Sequence, residues 1–384
     1  MWKKRGLIME SRMESLPHHV VEHIMERLPA KSLLRFKAVS KQWSSTIESP
    51  VFHERQLKHG QQSGDPHVLM VSVLTERKTV VETIRRLVLG SSTSIKIPTP
   101  WEKENTIYLV SSSCDGLVYL YLPDEPGFMV NPTTRWYRPI PLCKFHQLVI
   151  DLGESYYELR HGLFKVGFGK DVLTGTYKLV YVYNSSEIGL ENATICEVFD
   201  FSTNAWRYVT PSAPYRIVGC PDPVFVDGSL HWFTDCEETK VVSFNLHTEA
   251  FQVMAKTPFA NAHPRDIVMC NLDNRLCISG FVLPDKQVIW SFNSGNNTWD
   301  KVYSIDVYST SVFFNIPSDF ALSPLTLLDV KKKKKKKLLF HDRADNQTLL
   351  AHDPETGSAH IVFSTEPSTT IGYPVYYFES LISI

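Results

Sequence analysis

A short unit recurs at regular spacing in the second half of the chain, and this repeat constrains the fold more than any other feature. Each copy has an aspartate or asparagine, then a polar turn, then an aromatic residue six positions after the first. The copies begin at Asp200, Asn245 and Asn293, so they lie 45 and 48 residues apart. Repeats of roughly 40 to 50 residues are typical of four-stranded propeller blades. The spacing therefore predicts a β-propeller-like domain.

Two weaker copies extend the repeat in both directions. Asn131 is followed by Trp136 in a shorter version, and Asp353 begins a fifth copy that lacks the aromatic residue. The step of 69 residues from Asn131 to Asp200 predicts an insertion or a degenerate blade. We expect the acid or amide to start a tight turn and the aromatic residue to pack the next strand against a neighbouring blade. The alternative is a set of unrelated hairpins that share the same turn chemistry.

The pattern of the chain after residue 66 predicts mainly β-structure. Short runs rich in Val, Ile, Tyr, Phe and Trp alternate with Gly, Pro, Asn and Asp, which is typical of strands and hairpins. The predicted strands include residues 67–73, 106–110, 117–122, 177–183, 195–201, 230–233 and 241–245. Residues 80–89 are the one segment of this region with an arguable helical pattern.

The first part of the chain has a helical period instead. The first predicted helix has apolar residues on one face and ends at a proline; these are Val20, Val21, Ile24, Leu28 and Pro29. A second helix covers residues 33–36, and a third begins after Ser40, carries Trp43 and ends at Pro50. Three short helices bury little surface among themselves, so we expect them to pack against a partner or against the neighbouring domain.

Composition excludes several classes of function. The formal net charge is −1, from 40 basic and 41 acidic residues, which argues against attraction of the whole protein to nucleic acid or anionic membranes. The seven cysteines are scattered and contain no C-x-x-C pair, which argues against a disulfide framework and a zinc site and fits a reducing compartment. Neither a signal peptide nor an apolar run of 18 residues is found. We therefore expect a protein of the cytoplasm or nucleus that does not enter the membrane.

Residues 16–52 resemble an F-box. The resemblance depends on Leu16 and Pro17 at the start, residues 31–35 and 39–43 in the middle, and residues 49–52 at the end. It implies binding of a Skp-type adaptor and, through it, a cullin. The residues implied in adaptor binding are Leu16, Pro17, Val21, Ile24, Leu28, Pro29, Leu33, Leu34, Val39 and Trp43. For Trp43 and the Leu33-Leu34 pair, a place in the internal core is an equal alternative. The segment departs from the family at His18, His19 and His23, where acidic residues are usual, but none of these replaces an apolar anchor.

The rest of the chain, to about residue 300, is similar to the F-box-associated domain of plant F-box proteins. The matching pieces are residues 114–118, 131–135, 166–171, 177–180, 198–201 and 226–232. The resemblance implies a substrate-recognition subunit of an SCF-type ubiquitin ligase, which binds an unidentified target protein and has no catalytic residue and no cofactor. The predicted organisation is an unstructured head at 1–12, a three-helix F-box at 13–56, a linker at 57–66 and a β-propeller-like domain at 67–384.

Two other functions are compatible with this organisation. The first is an enzyme that uses the central cleft of the propeller. The second is an adaptor-docked module for a glycan or small molecule, which would require exposed aromatic residues such as Trp101, Trp136 or Trp290 to line one pocket. Gly167 and Gly169 lack the third glycine and the helix of a dinucleotide-binding loop, so we predict a turn there. His231 has no partner at metal-ligand spacing, so we predict a structural role for it.

Seven consecutive lysines at residues 331–337 are the least usual feature of the chain. Like charges repel, so we expect an extended, solvated loop that interrupts the last repeats. A nuclear import signal and a local phosphate-binding patch are the two functional alternatives. The sequence also leaves open whether Met9 or Met13 serves as an alternative start.

Overall fold

A computed structural model of the chain shows helices up to Ser63 and mostly β-structure after it. The predicted head at residues 1–12 lies outside the described residues. The described residues are 16–63, 67–75, 80–89, 94–97, 109–121, 125–152, 164–188, 193–217, 222–259, 262, 266–283, 286–306, 322–330, 335–341, 348–364, 369–370 and 373–384.

The N-terminal part contains four helices where the sequence predicts three. They are α1 (His18–Met25), α2 (Ala30–Phe36), α3 (Lys41–Glu48) and α4 (Pro50–Ser63). Ser40 caps α3 as predicted, because its Oγ accepts a hydrogen bond from the Trp43 backbone N–H at 3.1 Å. The fourth helix corrects the three-helix prediction and places residues 57–63 of the predicted linker in a helix. Of the helices that the structure describes, none is long and apolar enough to cross a bilayer.

The strands of the first three blades follow each other in chain order. Blade 1 contains β1 (His67–Thr75), β2 (Val80–Leu87) and β3 (Ser94–Lys96). Blade 2 contains β4 (Leu109–Val110), β5 (Val118–Tyr121), β6 (Phe128–Asn131) and β7 (Trp136–Pro139). The helix α5 (Lys144–Leu152) follows, and blade 3 contains β8 (Phe164–Lys170), β9 (Tyr177–Asn184), β10 (Thr194–Asp200) and β11 (Ala205–Tyr208).

The remaining three blades have the same antiparallel order. Blade 4 contains β12 (Val224–Val226), β13 (Ser229–Phe233), β14 (Lys240–Asn245) and β15 (Ala250–Lys256). Blade 5 contains β16 (Ile267–Leu272), β17 (Arg275–Leu283), β18 (Lys286–Asn293) and β19 (Thr298–Asp306). Blade 6 contains β20 (Ser323–Val330), β21 (Lys335–His341), β22 (Thr348–His352) and β23 (Ala359–Ser364).

The C-terminal strands close the ring. β24 (Thr369–Thr370) and β25 (Tyr373–Tyr377) both pair antiparallel with β1, so blade 1 combines strands from the two ends of the domain. β25 also contacts β20, the first strand of blade 6. The described residues therefore form a six-bladed propeller, which confirms the mainly β, propeller-like part of the predicted fold class and gives the number of blades.

A separate apolar cluster fills each interface between neighbouring blades. Val182 of blade 3 and Trp232 of blade 4 share one cluster, for example, and Phe233 of blade 4 and Ile278 of blade 5 share the next. At the point of closure, Met70 of blade 1 packs in one cluster with residues of blade 6. Each blade is thus covered on both faces by its neighbours.

The repeated turns have the predicted chemistry. The acid or amide side chain of each copy accepts a hydrogen bond from the backbone N–H two residues later. These bonds are 2.9 Å from Thr133 to Asn131, 2.7 Å from Ser202 to Asp200, 2.9 Å from His247 to Asn245, 3.1 Å from Gly295 to Asn293 and 3.0 Å from Glu355 to Asp353. In the three full copies the aromatic residue pairs with one on the preceding strand of its own blade, as Phe251 does with Phe244 at 4.8 Å between ring centroids. Phe251 also packs against the cluster between blades 3 and 4, as predicted. The repeat hypothesis is confirmed.

The two faces of the propeller are built differently. We call one of them the turn face. It is formed by the turn between the first and second strands of each blade and the turn between its third and fourth strands. The opposite face carries the connections between blades, and we call it the loop face. The connection of residues 140–163 contains α5 and accounts for the predicted insertion between the first two repeats.

Two predictions about local structure are wrong. Gly167 and Gly169 lie inside β8 and not in a turn. The last three lysines of the run at 331–337 belong to β21 and pair with β20, whereas residues 331–334 lie outside the described residues. Residues 80–87, where the sequence left a helical pattern arguable, form β2 and pair with β1 and β3.

Gly169 is required by the close approach of blades 3 and 4. A Cβ at this position would overlap the ring of Phe225 in blade 4. We predict that Gly169→Ala lowers the free energy of unfolding by about 1–3 kcal/mol, because overpacked side chains must shift. The matched control is Gly60→Ala in α4, where a Cβ meets nothing within 4 Å.

The control should leave the stability unchanged or raise it by up to about 1 kcal/mol, since alanine favours a helix. Urea denaturation of both variants checks the prediction. Equal stability of Gly169→Ala and wild type would show that blade packing tolerates the extra methyl group.

Candidate functional site

Several of the apolar residues singled out in the F-box are exposed. Leu16 is 60% exposed, Ile24 49% and Val39 60%, and Pro17 and Pro29 are also exposed. Leu16 and Pro17 precede α1, Ile24 is near its end, and Val39 follows α2. The described residues of the propeller therefore do not cover these side chains. A group of large apolar side chains left in water on a small helical domain is a candidate contact for a partner.

The other five residues of the predicted site are turned towards the helices. Val21, Leu28, Leu34 and Trp43 are half-buried and pack against the core of the F-box. Leu33 is fully buried within that core. A partner cannot reach Leu33 unless the helices separate, so we assign this residue to the core and not to the contact surface.

A buried carboxylate joins the first and fourth helices. Glu26 of α1 is almost completely buried, and its oxygens lie 3.1 Å from Nη1 of Arg55 and 3.6 Å from Nε2 of His59, both on α4. A buried charge is stable only with close partners, so α4 contributes to holding α1 in place. α4 is therefore an integral part of the helical domain.

Val51 on α4 is an apolar residue that is 57% exposed and that the sequence prediction missed. The prediction ended the third helix at Pro50 and placed no helix after it. Proline is favoured in the first turn of a helix, and this preference is the signal that would have revealed α4.

A groove lies between α5 and blade 3 on the loop side of the propeller. Its volume is about 360 Å³, and its lining includes Leu142, Lys144 and Tyr208. At its floor the carboxylate of Glu197 accepts hydrogen bonds from the backbone N–H groups of Lys144 at 3.0 Å and Phe145 at 2.9 Å. Burial raises the pKa of Glu197, although these hydrogen bonds oppose the effect.

A hydrogen-bonded cluster beneath this groove has the residue types of a nucleophile and its base. The Sγ of Cys143 lies 2.9 Å from Nδ1 of His146, and Nε2 of His146 lies 3.3 Å from the hydroxyl of Tyr181. All three side chains are buried. Burial raises the pKa of the Cys143 thiol far above its usual range, so the sulfur keeps its proton and is a poor nucleophile.

Of the tryptophans considered for a glycan pocket, the two that the structure describes lie at different blade interfaces. Trp136 packs against the cluster between blades 2 and 3, whereas Trp290 packs against the cluster between blades 4 and 5. Trp101 lies outside the described residues. Among the residues that the structure describes, no group of three or more His, Cys, Asp or Glu side chains is arranged to hold a metal ion.

His231 lies inside blade 4 and is almost completely buried. Its Nδ1 is 3.2 Å from the carbonyl oxygen of Val224 on the neighbouring strand. Burial lowers the pKa of His231 to about 4, although the hydrogen bond to Val224 raises it. A neutral histidine that donates to a backbone carbonyl within a sheet fits the predicted structural role.

Comparison with known sequences identifies both parts of the chain. A family described as F-box domain matches residues 13–55, and a family described as F-box associated beta propeller domain matches residues 70–384. The chain belongs to the F-box proteins that carry this propeller domain, a family of adaptors and not of enzymes.

Two similar proteins come from the plant Arabidopsis thaliana. The F-box/LRR-repeat/kelch-repeat protein At1g09650 of Arabidopsis thaliana is 61% identical over 388 residues, which cover 100% of both chains. F-box protein At2g34280 of the same plant is 48% identical and covers 97% of this chain and 100% of its own. This chain is therefore a plant F-box protein.

Solved structures resemble the chain only distantly. An oligogalacturonate lyase in complex with manganese has a TM-score of 0.40 and 9% identity, covering 77% of this chain and 78% of its own. The SapL1 lectin in complex with alpha methyl fucoside has a TM-score of 0.40 and 8% identity, covering 80% of this chain and 99% of its own. Neither likeness carries a functional argument for this chain.

The buried His231 makes a prediction about stability and pH. Its pKa is about 4 in the folded chain and about 6.5 in the unfolded chain, so the unfolded state binds the proton first as pH falls. The stability that this group contributes is therefore lost as pH falls below about 6.5. We predict a loss of about 2 kcal/mol between pH 7 and pH 5 from His231 alone.

Urea denaturation of the wild type and His231→Gln at both pH values isolates this contribution. The difference in unfolding free energy between the two proteins should change by that amount, because other histidines titrate alike in both. A difference that does not vary with pH would contradict a buried, neutral His231.

Proposed function

We propose that this chain is the substrate-recognition adaptor of an SCF-type ubiquitin ligase. In this proposal the F-box binds a Skp-type adaptor protein, which connects it to a cullin, while the propeller binds a target protein. The observation that carries the proposal is the exposure of Leu16, Ile24 and Val39 within a segment that belongs to the F-box family. These are positions that the family resemblance assigns to adaptor binding.

The chemistry of ubiquitin transfer would be carried out by other subunits. The chain would hold the target near a charged conjugating enzyme and so raise the effective concentration of a target lysine. It would supply binding free energy and geometry, with no catalytic residue and no cofactor. The proposed working compartments are the cytoplasm and the nucleus, where ligases of this class act.

We assign target binding to the loop face of the propeller. The F-box lies on the turn face, since Glu54 of α4 is 3.8 Å from Lys170 at the end of β8. The loop face is therefore free of the F-box, and it carries the groove beside α5 with the exposed side chain of Tyr208. Loops on a rigid scaffold are common recognition elements. Cross-links from a captured target that map to the turn face instead would contradict this assignment.

Val39 gives a direct test of the proposed adaptor contact. We predict that Val39→Ser weakens binding of the purified chain to a Skp-type adaptor by at least about 1 kcal/mol, roughly fivefold in Kd, because a central apolar contact is lost. Val39 is exposed, so the substitution should leave the fold intact. Isothermal titration calorimetry of the two purified proteins measures the effect.

The matched control is Val282→Ser in β17 of blade 5, a valine that is 56% exposed against 60% for Val39. The control should bind the adaptor with the affinity of the wild type. If both variants bind as tightly as the wild type, Val39 lies outside the contact; if both weaken equally, the loss is not specific to the F-box.

A further inference from the structure

The last seven residues of the chain, 378–384, connect the propeller to the F-box. We call this segment the C-terminal tail. It follows β25, the strand that completes blade 1, and its residue Leu381 enters the core of the F-box. Leu381 is only 4% exposed and shares this core with Met25, Leu33 and Ile47. The helical domain therefore takes part of its core from the opposite end of the chain.

The neighbours of Leu381 are buried on the propeller side. Ile382 belongs to the apolar cluster between blades 2 and 3, together with Leu117. Ser380 is completely buried. Adjacent tail residues thus contribute to two different cores, which fixes the tail between the F-box and the propeller.

Asn131 holds the backbone of the tail. Its Nδ2 donates to the carbonyl oxygens of Ser380 at 3.1 Å and Ile382 at 2.8 Å, while its Oδ1 accepts from the backbone N–H of Thr133 at 2.9 Å. Asn131 is completely buried, so these bonds are protected from water. The first copy of the repeated turn therefore has a second role that the other copies do not share in their described contacts.

Gly116 makes room for the tail. It has a φ of +79°, and a Cβ at this position would lie 2.5 Å from the carbonyl oxygen of Phe378 and 2.6 Å from Oγ of Ser380. Any other residue would be strained here and would displace the tail. The two motifs nearest the start of the propeller, at residues 114–118 and 131–135, thus meet on the same segment.

Two other described contacts connect the helical domain to the propeller. Leu57 of α4 reaches the cluster between blades 2 and 3. The ion pair between Lys170 and Glu54 spans 3.8 Å, and its carboxylate is largely exposed, so it contributes little. The described contacts thus cross in both directions: Leu57 of α4 enters the core of the propeller, and Leu381 of the tail enters the core of the F-box.

We infer that the C-terminal tail couples adaptor docking by the F-box to closure of the propeller. The segment that closes the ring continues directly into the residue that completes the F-box core. In a chain whose propeller is open or truncated, Leu381 leaves the core of the F-box. The half-buried Leu34 and Trp43, which pack against that core, then lose part of their packing. An incompletely folded receptor would then bind the adaptor weakly. The consequence for adaptor binding rests on the proposed function, whereas the coupling between the two cores does not.

The test uses the full chain with Leu381→Ala, which leaves a cavity in the F-box core. Hydrogen exchange measured by mass spectrometry should show α1, α2 and α3 exchanging at least tenfold faster than in the wild type, with β13 and β14 unchanged. The affinity for a Skp-type adaptor should fall at least tenfold. Leu381→Met, which keeps the apolar volume, should retain wild-type exchange and affinity.

Leu173→Ala is the matched control, because Leu173 is 74% exposed on the turn face and should affect neither measurement. Unchanged exchange in the helices of Leu381→Ala would overturn the coupling, and faster exchange with unchanged adaptor affinity would overturn its link to docking. If the wild type itself fails to bind the adaptor, the proposed function fails, while the exchange measurement still decides whether the two cores are coupled.

Discussion

Each blade of the propeller has apolar side chains on both faces, and neither face can remain in water. β9 shows this most clearly, since all eight of its residues are buried. Burial of apolar surface is the main stabilising contribution to a fold, so every blade requires a neighbour on each side. A row of blades would leave two apolar faces exposed at its ends. The ring removes both ends, and the pairing of β25 with β1 holds it closed.

This requirement also determines where binding surfaces can lie. The sides of the blades are occupied by their neighbours, which leaves the two faces of the ring. The turn face has short connections fixed by the side chains of residues such as Asn131 and Asp171, and the F-box lies against it. The loop face has the longer connections, including α5. The turn face thus provides the attachment for the F-box, and the loop face is the one to which we assign target binding.

The features that were predictable from sequence are those that depend on a few neighbouring residues. The turn at Asn245, the cap at Ser40 and the strand β10 follow from local chemistry. Local patterns are a poor guide where distant parts of the chain decide the outcome. Residues 80–87, whose pattern was ambiguous, form a strand because two other strands flank them. The turn predicted at Gly167 and Gly169 is wrong, and Gly169 is needed in β8 because Phe225 of the next blade approaches it. In the candidate site, the sequence identified the apolar residues of the F-box and the helical spacing at which they recur. It could not decide whether Leu33 lies in the interior or at the surface, because part of the core around Leu33 comes from the far end of the chain.

The central claim is that the F-box of this chain binds a Skp-type adaptor through exposed apolar residues, and a single binding measurement tests it. Isothermal titration of the adaptor into the full chain should show a Kd in the micromolar range or tighter, and the double variant Leu16→Ala, Pro17→Ala should show no measurable binding, since two anchors are removed. Both residues are exposed, so the variant should remain folded. A wild-type chain that gives no binding heat, or a double variant that binds as the wild type does, would contradict the account.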